Sequence, residues 1–491
     1  MCCLCMWMVV CSITRHHIRA LQPHVGKYFT TPAANFSADL QCIVRCGAGV
    51  TKTSLLSKPL DRIIPSFFSH FDMPFLSIFV ALLPLVSSFV VNNGTSCYLY
   101  PESLTHFGQP VDDTPSILQA FEICGTNGTV IFTDRTFHIN QIMNTTNLLN
   151  TNVEIYGDLR WSDNIPYWLS HSIDVVYQNQ STAWLFGGTN VSLTGKGGSF
   201  NGNGQAWYTE NRNNSNQPGR PISITFFNST NLYIDGLTII QPQFWASFIS
   251  HSQNVTFVNT YVNATTNNEW GLANTDGGDT WNSKDIYVAN WTVQSGDDCY
   301  AAKGNTTNFH VKNVTCYGTS GMTIGSVGQY PETPDYVENI LFEDIRLFNA
   351  MDGAYIKTWQ GVPQATTGNG DSGGGGSGLI KNITFRNFSF DNVIIPIEIT
   401  QCIYSETSGA DTCDSSKMQI QDVRFENFTG TSTFNLAASL HCAATHPCPG
   451  IYFEDVEIQS VNETLGLPMW NTTLQGSVVQ CANIVNQNTT R

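Results

Sequence analysis

The sequence predicts an all-β chain wound as a right-handed parallel β-helix, a solenoid with one short N-terminal capping helix. Three observations lead there. Asn or Asp followed by alternating apolar residues recurs along the chain: Asn190-Val-Ser-Leu, Asn231-Leu-Tyr-Ile, Asn254-Val-Thr-Phe, Asp285-Ile-Tyr-Val, Asn308-Phe-His-Val, Asn339-Ile-Leu-Phe, Asn382-Ile-Thr-Phe and Asp422-Val-Arg-Phe. Two of the intervals between these starts are 23 residues, a length suited to one coil of a stacked solenoid, and the others are near 31 or 43. Gly, Asn, Ser, Thr and aromatic residues are plentiful while long helical periods are scarce. Period-2 alternation turns one face of each strand to a core, and the leading Asn sits where a turn tolerates it. A β-sandwich would also alternate, but regular in-register spacing favours the solenoid.

Taken in order, residues 1–72 stand apart. They hold six of the 15 cysteines, are mildly basic and lack strand periodicity. They read as an unstructured leader or a gene-model artefact, with Met73 as the true start. Residues 74–91, PFLSIFVALLPLVSSFVV, carry no charge and end their apolar core at Ser87-Ser88, so 73–91 reads as a signal peptide. A membrane anchor is the rival, disfavoured by Pro84 and the short length. Residues 92–491 then form the solenoid domain. Thr114 to Cys124 is a helix, with Thr114 as N-cap and Pro115 in the first position, and it covers the end of the core. The longest insertion contains Gly368 to Gly378, GNGDSGGGGSG, a loop composition suited to walling a groove.

Bulk charge limits the partners. Only 12% of the 491 residues are charged, the net charge is −16 and no basic stripe is visible, which excludes nucleic acid as a partner. Sequons recur, among them Asn93, Asn127, Asn144, Asn190, Asn228, Asn254, Asn263, Asn290, Asn305, Asn313, Asn382, Asn387 and Asn427. Their density points to a secreted, extracellular glycoprotein, monomeric and without stable membrane association. In an oxidising compartment the cysteines pair as Cys97–Cys124, Cys299–Cys316, Cys402–Cys413 and Cys442–Cys448, with Cys481 left over. No Cys/His group has zinc-like spacing.

The chemistry lies in three segments: Asn274-Thr275-Asp276, Gly296-Asp297-Asp298 and Gly321-Met-Thr-Ile-Gly-Ser326. Asp276 and Asp297 are 21 residues apart, so they can stack on adjacent coils whose strands are about 4.8 Å apart. Asp298 follows directly, and consecutive residues in a flat strand face opposite ways, so both reach one site only at a bend. Crowded carboxylates titrate as a group, leaving one protonated as acid while another stays ionised as base. That is the requirement for glycosidic hydrolysis. The bland alternative is that these residues cap turns or bind calcium. Asp279, on the same strand as Asp276, reads as structural, and Asn274 as orienting a carboxylate or contacting sugar. His251 and His310 read as structural.

From about Cys97 onward the chain resembles glycoside hydrolase family 28, the polygalacturonase family, most closely its exo-acting fungal-type branch. The carriers are Asn274-Thr-Asp-Gly-Gly-Asp-Thr280, Gly296-Asp-Asp-Cys-Tyr-Ala-Ala-Lys303, Gly321-Met-Thr-Ile-Gly-Ser-Val-Gly328 and Tyr355-Ile-Lys-Thr-Trp-Gln360. The resemblance implies a secreted inverting hydrolase of α-1,4-galacturonosyl bonds in pectin, acting from the non-reducing end and needing no cofactor. Asp297 would be the general acid, and Asp276 and Asp298 would activate water, with about 6.5–9.5 Å between the carboxyls. Two departures stand out. The family's Gly-His-Gly His aligns with Ser320, and its Arg-Ile-Lys is Tyr355-Ile356-Lys357. Lys357 and Lys303 remain as cations for a substrate carboxylate, without the bidentate fork of Arg. Trp359 and Tyr330 are the aromatic candidates for sugar contact, ahead of Trp270, Tyr300 and Tyr355. The departures keep a rhamnogalacturonan hydrolase and a carbohydrate-binding pseudoenzyme open. A pectate lyase would need calcium and an Arg base, which the Asp297-Asp298 pair does not provide.

Overall fold

The computed structural model describes residues 8–12, 41–46, 49–50, 89–101, 111–214, 216–363, 373–403, 410–461, 478–485 and 488–489. The chain divides into two units, Met1–Leu85 and Val86–Arg491. In the first, Met8–Ser12, Gln41–Cys46 and Gly49–Val50 form a small antiparallel sheet. The signal-peptide reading falls almost wholly on residues 73–88, which lie outside the described residues, as do residues 368–372 of the Gly368 to Gly378 loop.

The second unit is a right-handed parallel β-helix. It opens on an antiparallel hairpin, Phe89–Asn93 with Ser96–Tyr100, and every later coil pairs in parallel with the one before. Inward positions align coil after coil. One row runs Leu193, Ile234, Phe257, Val288, Val311, Phe342, Phe385, Phe425 and Phe453. Successive rings in its last part stack face to face: Phe342–Phe385 at 5.2 Å, Phe385–Phe425 at 5.4 Å and Phe425–Phe453 at 5.1 Å between centroids. Strand spacing sets that separation, so like residues at one coil position pack on each other without adjustment.

The leading Asn of each repeat does more than tolerate a turn. Asn190, Asn231, Asn254, Asn308, Asn339 and Asn382 all have φ between 53° and 60°, the left-handed region that Asn adopts more readily than other non-glycine residues. Their amides form ladders. Asn190 Nδ2 donates to Asn150 Oδ1, Asn231 to Asn190 and Asn254 to Asn231, at 2.9, 2.8 and 2.7 Å. A second run links Asn308 to Asp285, Asn339 to Asn308 and Asn382 to Asn339. Another corner repeats the device through Asn290, Asn313, Asn387 and Asn427. Asn150 in turn donates to Asn127, so eight of the sequon asparagines are ladder residues, and much of the sequon density follows from the fold.

The helix Thr114–Cys124 buries Thr114, Ser116, Ile117, Ala120, Phe121 and Cys124. Phe121 meets Phe132, Trp184 and Phe186 in the first coils. Its N-cap is Asp113 rather than Thr114, because the Thr114 amide and hydroxyl both donate to Asp112 Oδ1 and draw Thr114 into the first turn. Cys97–Cys124, Cys299–Cys316, Cys402–Cys413 and Cys442–Cys448 are disulfides, and Cys481 is exposed outside them. Among the described residues no helix is long and apolar enough to cross a membrane.

Candidate active site

Four successive coils build the site at the bend that precedes one sheet. Asp279–Trp281 pairs with Tyr300–Ala302, which pairs with Met322–Val327, which pairs with Asp352–Thr358. Asp297 and Asp298 lie in the bend before Tyr300, which frees both side chains from the alternation of a flat strand. Asp276 lies in the loop before Asp279, not on the same strand as the sequence suggested; the Gly277-Gly278 pair separates them. One oxygen each of Asp276, Asp297 and Asp298 lies within 4.8 Å of the others. Asp276 stands one coil from Asp297 and Asp298, which are neighbours in a single bend, and 4.8 Å bounds the chosen oxygens rather than the separation of whole carboxyls, to which the expected 6.5–9.5 Å applies.

The three acids are held differently. Asp298, 1% exposed, accepts from Lys357 Nζ at 2.9 and 3.1 Å and from the Thr323 hydroxyl at 2.7 Å. Charge-assisted bonds of this kind are short and fix the orientation of the carboxyl group. Asp297 accepts from the Asp298 amide at 2.9 Å and the Asn274 amide at 3.1 Å. Burial and the neighbouring Asp298 nevertheless raise its pKa. Asp276 Oδ1 is buried with no hydrogen-bond partner among the described residues. Burial, then Asp297, pushes the Asp276 carboxyl well above the usual range. The trio could in geometry hold a cation, but Lys357 already brings a positive charge to Asp298.

Beneath them lies a buried ion pair, Lys303 Nζ to Asp279 Oδ1 at 3.0 Å. Burial pushes Asp279 up to about 7 against the opposing pull of Lys303. For Lys303 burial works downward, but Asp279, Asp276 and Asp298 outweigh it and its pKa rises. Lys357 behaves likewise, with Asp298 the dominant attraction.

A pocket opens over these groups, lined by Asp276, Asp297, Asp298, Asn274, Lys303, Lys357 and Trp359 among the residues singled out from sequence. Several others are not in its lining. Ser320 is half-buried, and its amide donates to the Asp297 carbonyl at 2.8 Å, so it braces the bend from behind. Tyr355 lies under the Lys357 ammonium, 5.1 Å from its ring centre. Tyr330 is 37% exposed but outside the pocket. Tyr300 belongs to the interior, packed on Trp291 and Phe309. Asn274, with φ of 54°, directs its amide at Asp297 and accepts from the Asn216 amide at 2.9 Å.

Ser326, at the end of the third segment singled out from sequence, also lines the pocket, whereas sequence reasoning missed Gln178, Asn216, Trp245 and Gln329. Gln178 and Gln329 are 151 residues apart, and no motif marks either; Gln178 Nε2 donates to Gln329 Oε1 at 2.9 Å. The Tyr177 hydroxyl reaches the Ser326 carbonyl at 3.5 Å and Gln178 the Ser326 hydroxyl at 3.4 Å. The segment between Ile173–Asp174 and Ser181–Thr182 is thereby tied to the far wall. Trp245, 2% exposed, carries the Lys303 ammonium 4.8 Å from its ring centre.

This geometry agrees with comparisons to known proteins. Residues 139–475 match the family model described as glycosyl hydrolases family 28. The alpha-L-rhamnosidase rgxB of Aspergillus niger is 39% identical over 72% of this chain and 82% of its own length. A putative galacturan 1,4-alpha-galacturonidase A of Aspergillus niger is 39% identical over 74% of this chain and 88% of its own length. Among solved structures, endo-xylogalacturonan hydrolase from Aspergillus tubingensis superposes with a TM-score of 0.65 at 23% identity, over 80% of this chain and 99% of that one, a likeness of fold. Matched along most of its length, and carrying three converging aspartates on a parallel β-helix, this chain belongs to glycosyl hydrolases family 28.

Proposed function

We propose that the chain is a secreted exo-acting glycosidase that removes single galacturonic acid residues from the non-reducing end of pectic α-1,4-galacturonan. One observation carries the exo reading: Tyr177 and Gln178 bond across to Ser326 and Gln329, so the aspartates lie in a pocket bounded on that side rather than in an open groove. Galacturan 1,4-alpha-galacturonidase relatives support the substrate, and the apolar segment within 73–91 supports secretion. In the mechanism, Asp297 holds a proton through burial and the charge of Asp298, and delivers it to the glycosidic oxygen. Asp298, held by Lys357, takes a proton from the attacking water, with Asp276 beside it. Residues of this chain suffice for both transfers, so no cofactor enters, and a monomer carries the whole site.

The test is incubation of purified protein with polygalacturonate and sizing of early products. Monogalacturonate as the sole early product supports the proposal. A ladder of oligomers would show endo action, unsaturated products would show a lyase, and binding without products a pseudoenzyme.

A second reading has its own observation. Lys303 and Lys357 are both committed to aspartates, and Gln178, Asn216, Asn274 and Gln329 contribute amides to the lining. Such a pocket suits a neutral sugar, and one relative is an alpha-L-rhamnosidase. Release of free rhamnose from rhamnogalacturonan oligomers, with polygalacturonate untouched, would select this reading.

A further inference from the structure

Arg220 is 1% exposed, and among the described residues it forms no ion pair with a carboxylate. A buried guanidinium is costly unless its donors and its charge are both matched. Its donors are used on backbone: Nε to the Gln243 carbonyl at 2.6 Å and Nη1 to the Ala273 carbonyl at 3.0 Å. Its face covers the Phe244 ring at 5.1 Å. Ala273 is the residue before Asn274, whose amide holds Asp297, and it opens the turn that ends at Asp276. Gln243 and Phe244 precede Ala246, whose amide donates to the Asp276 carbonyl at 2.8 Å. One guanidinium thus clamps both backbone segments that carry Asp276.

We propose that Arg220 is a positioning residue for the hydrolytic site: its two backbone bonds set the Ala273–Asp276 turn, and its charge is the fixed counter-charge behind Asp276 and Asp297. Burial lowers the Arg220 pKa to about 10, against the opposing influence of Tyr208, Asp276 and Asp297, so it stays charged wherever the aspartates titrate. The groups that set the field around it are Tyr208 on the helix Gly204–Asn211, Asp276 and Asp297. Around those acids stand Asp279, Asp298, Lys303 and Lys357. The inference rests on the reading of Asp297 and Asp298 as acid and base.

The experiment compares Arg220→Met and Arg220→Lys with the wild type in pH–rate profiles on the substrate the wild type cleaves, and in Tm against pH. Removing the cation makes Asp276 and Asp297 hold their protons to higher pH. In Arg220→Met the high-pH limb, where the general acid Asp297 loses its proton, should move up, with kcat lowered at least about tenfold. Arg220→Lys keeps the charge and loses the fork, so its limbs should stay near wild type while kcat falls and KM holds. A role confined to folding would lower activity in both variants without moving either limb, and that result would overturn the inference. An inactive wild type would defeat the hydrolase reading alone, because Tm reports Arg220 independently. The Tm deficit of Arg220→Met should widen as pH rises from about 4 to about 7, where the nearby acids lose protons. A deficit constant across that window would sink the counter-charge role. Should Arg220→Met fail to fold, an Arg220→Lys variant with wild-type kcat would refute the clamp.

Discussion

Replacing Lys357 by Met asks whether that ammonium holds Asp298 in place and balances its charge. The two side chains are 12% and 1% exposed, and the shorter contact is 2.9 Å. At an effective dielectric of about 20 that separation gives an attraction of roughly 6 kcal/mol, much of it offset by the desolvation of both ions. What remains on removing one partner is the stranded charge. Asp298 would keep only the Thr323 hydroxyl and its own place in the bend, a loss of about 3–5 kcal/mol for a buried pair broken on one side. Asp298→Asn alone strands Lys357 in turn, though less, since Lys357 is the more exposed partner. The double variant, with Met and Asn in place of the pair, leaves no unmatched charge and should recover most of either loss. Urea unfolding followed by tryptophan fluorescence at one pH gives all four corners of the cycle. A coupling energy of about 2 kcal/mol or more is expected; additivity within about 0.5 kcal/mol would refute the account of Asp298.

Asp297→Asn should lower turnover by about 10²–10⁴-fold with an unchanged circular dichroism spectrum, and near-normal turnover would remove Asp297 from the acid role. Proton NMR of the first product should show the inverted anomer; a retained anomer would mean that the aspartates, with oxygens within 4.8 Å, act as nucleophile and acid instead. Asn308→Ala forces alanine into φ of 54° and breaks ladder bonds of 2.8 and 3.0 Å, so it should cost about 1–3 kcal/mol. Asn308→Gly should lose less, since glycine keeps the backbone at ease, and equal losses would deny the left-handed part of the argument. The pH dependence of stability follows from sign. Burial pushes Asp279 up to about 7 and Asp335 up to about 6, and raises Asp276 and Asp297 as well. Between about pH 4 and pH 7 the folded chain therefore holds protons that the unfolded chain has lost, and stability rises as pH falls. Relief of self-repulsion at a net charge of −16 acts in the same direction. Scanning calorimetry should find Tm higher near pH 4.5 than near pH 7; the reverse order would contradict the buried acids.

The sequence by itself determined the solenoid and the convergence of its acids, because both are consequences of period. Residues separated by one coil must stack, so Asp276, Asp297, the Met322–Val327 strand and Lys357 were bound to meet once the coil length was known. The four disulfides were legible on another ground, as pairings of cysteines near in sequence, at separations of 27, 17, 11 and 6 residues. What the period could not supply was the orientation and the partner of each side chain. Lys303 and Lys357, free cations on paper, are bound to Asp279 and Asp298, since four clustered carboxylates, three of them buried, demand counter-charge. Ser320 turned out to brace Asp297 through its backbone. Arg220, Trp245 and the Gln178–Gln329 contact across 151 residues depend on how loops outside the repeat fold over the coils. Loop paths answer to packing and to the balance of buried charge, which only the folded chain expresses, and they shape the pocket around acids whose meeting the repeat had already ensured.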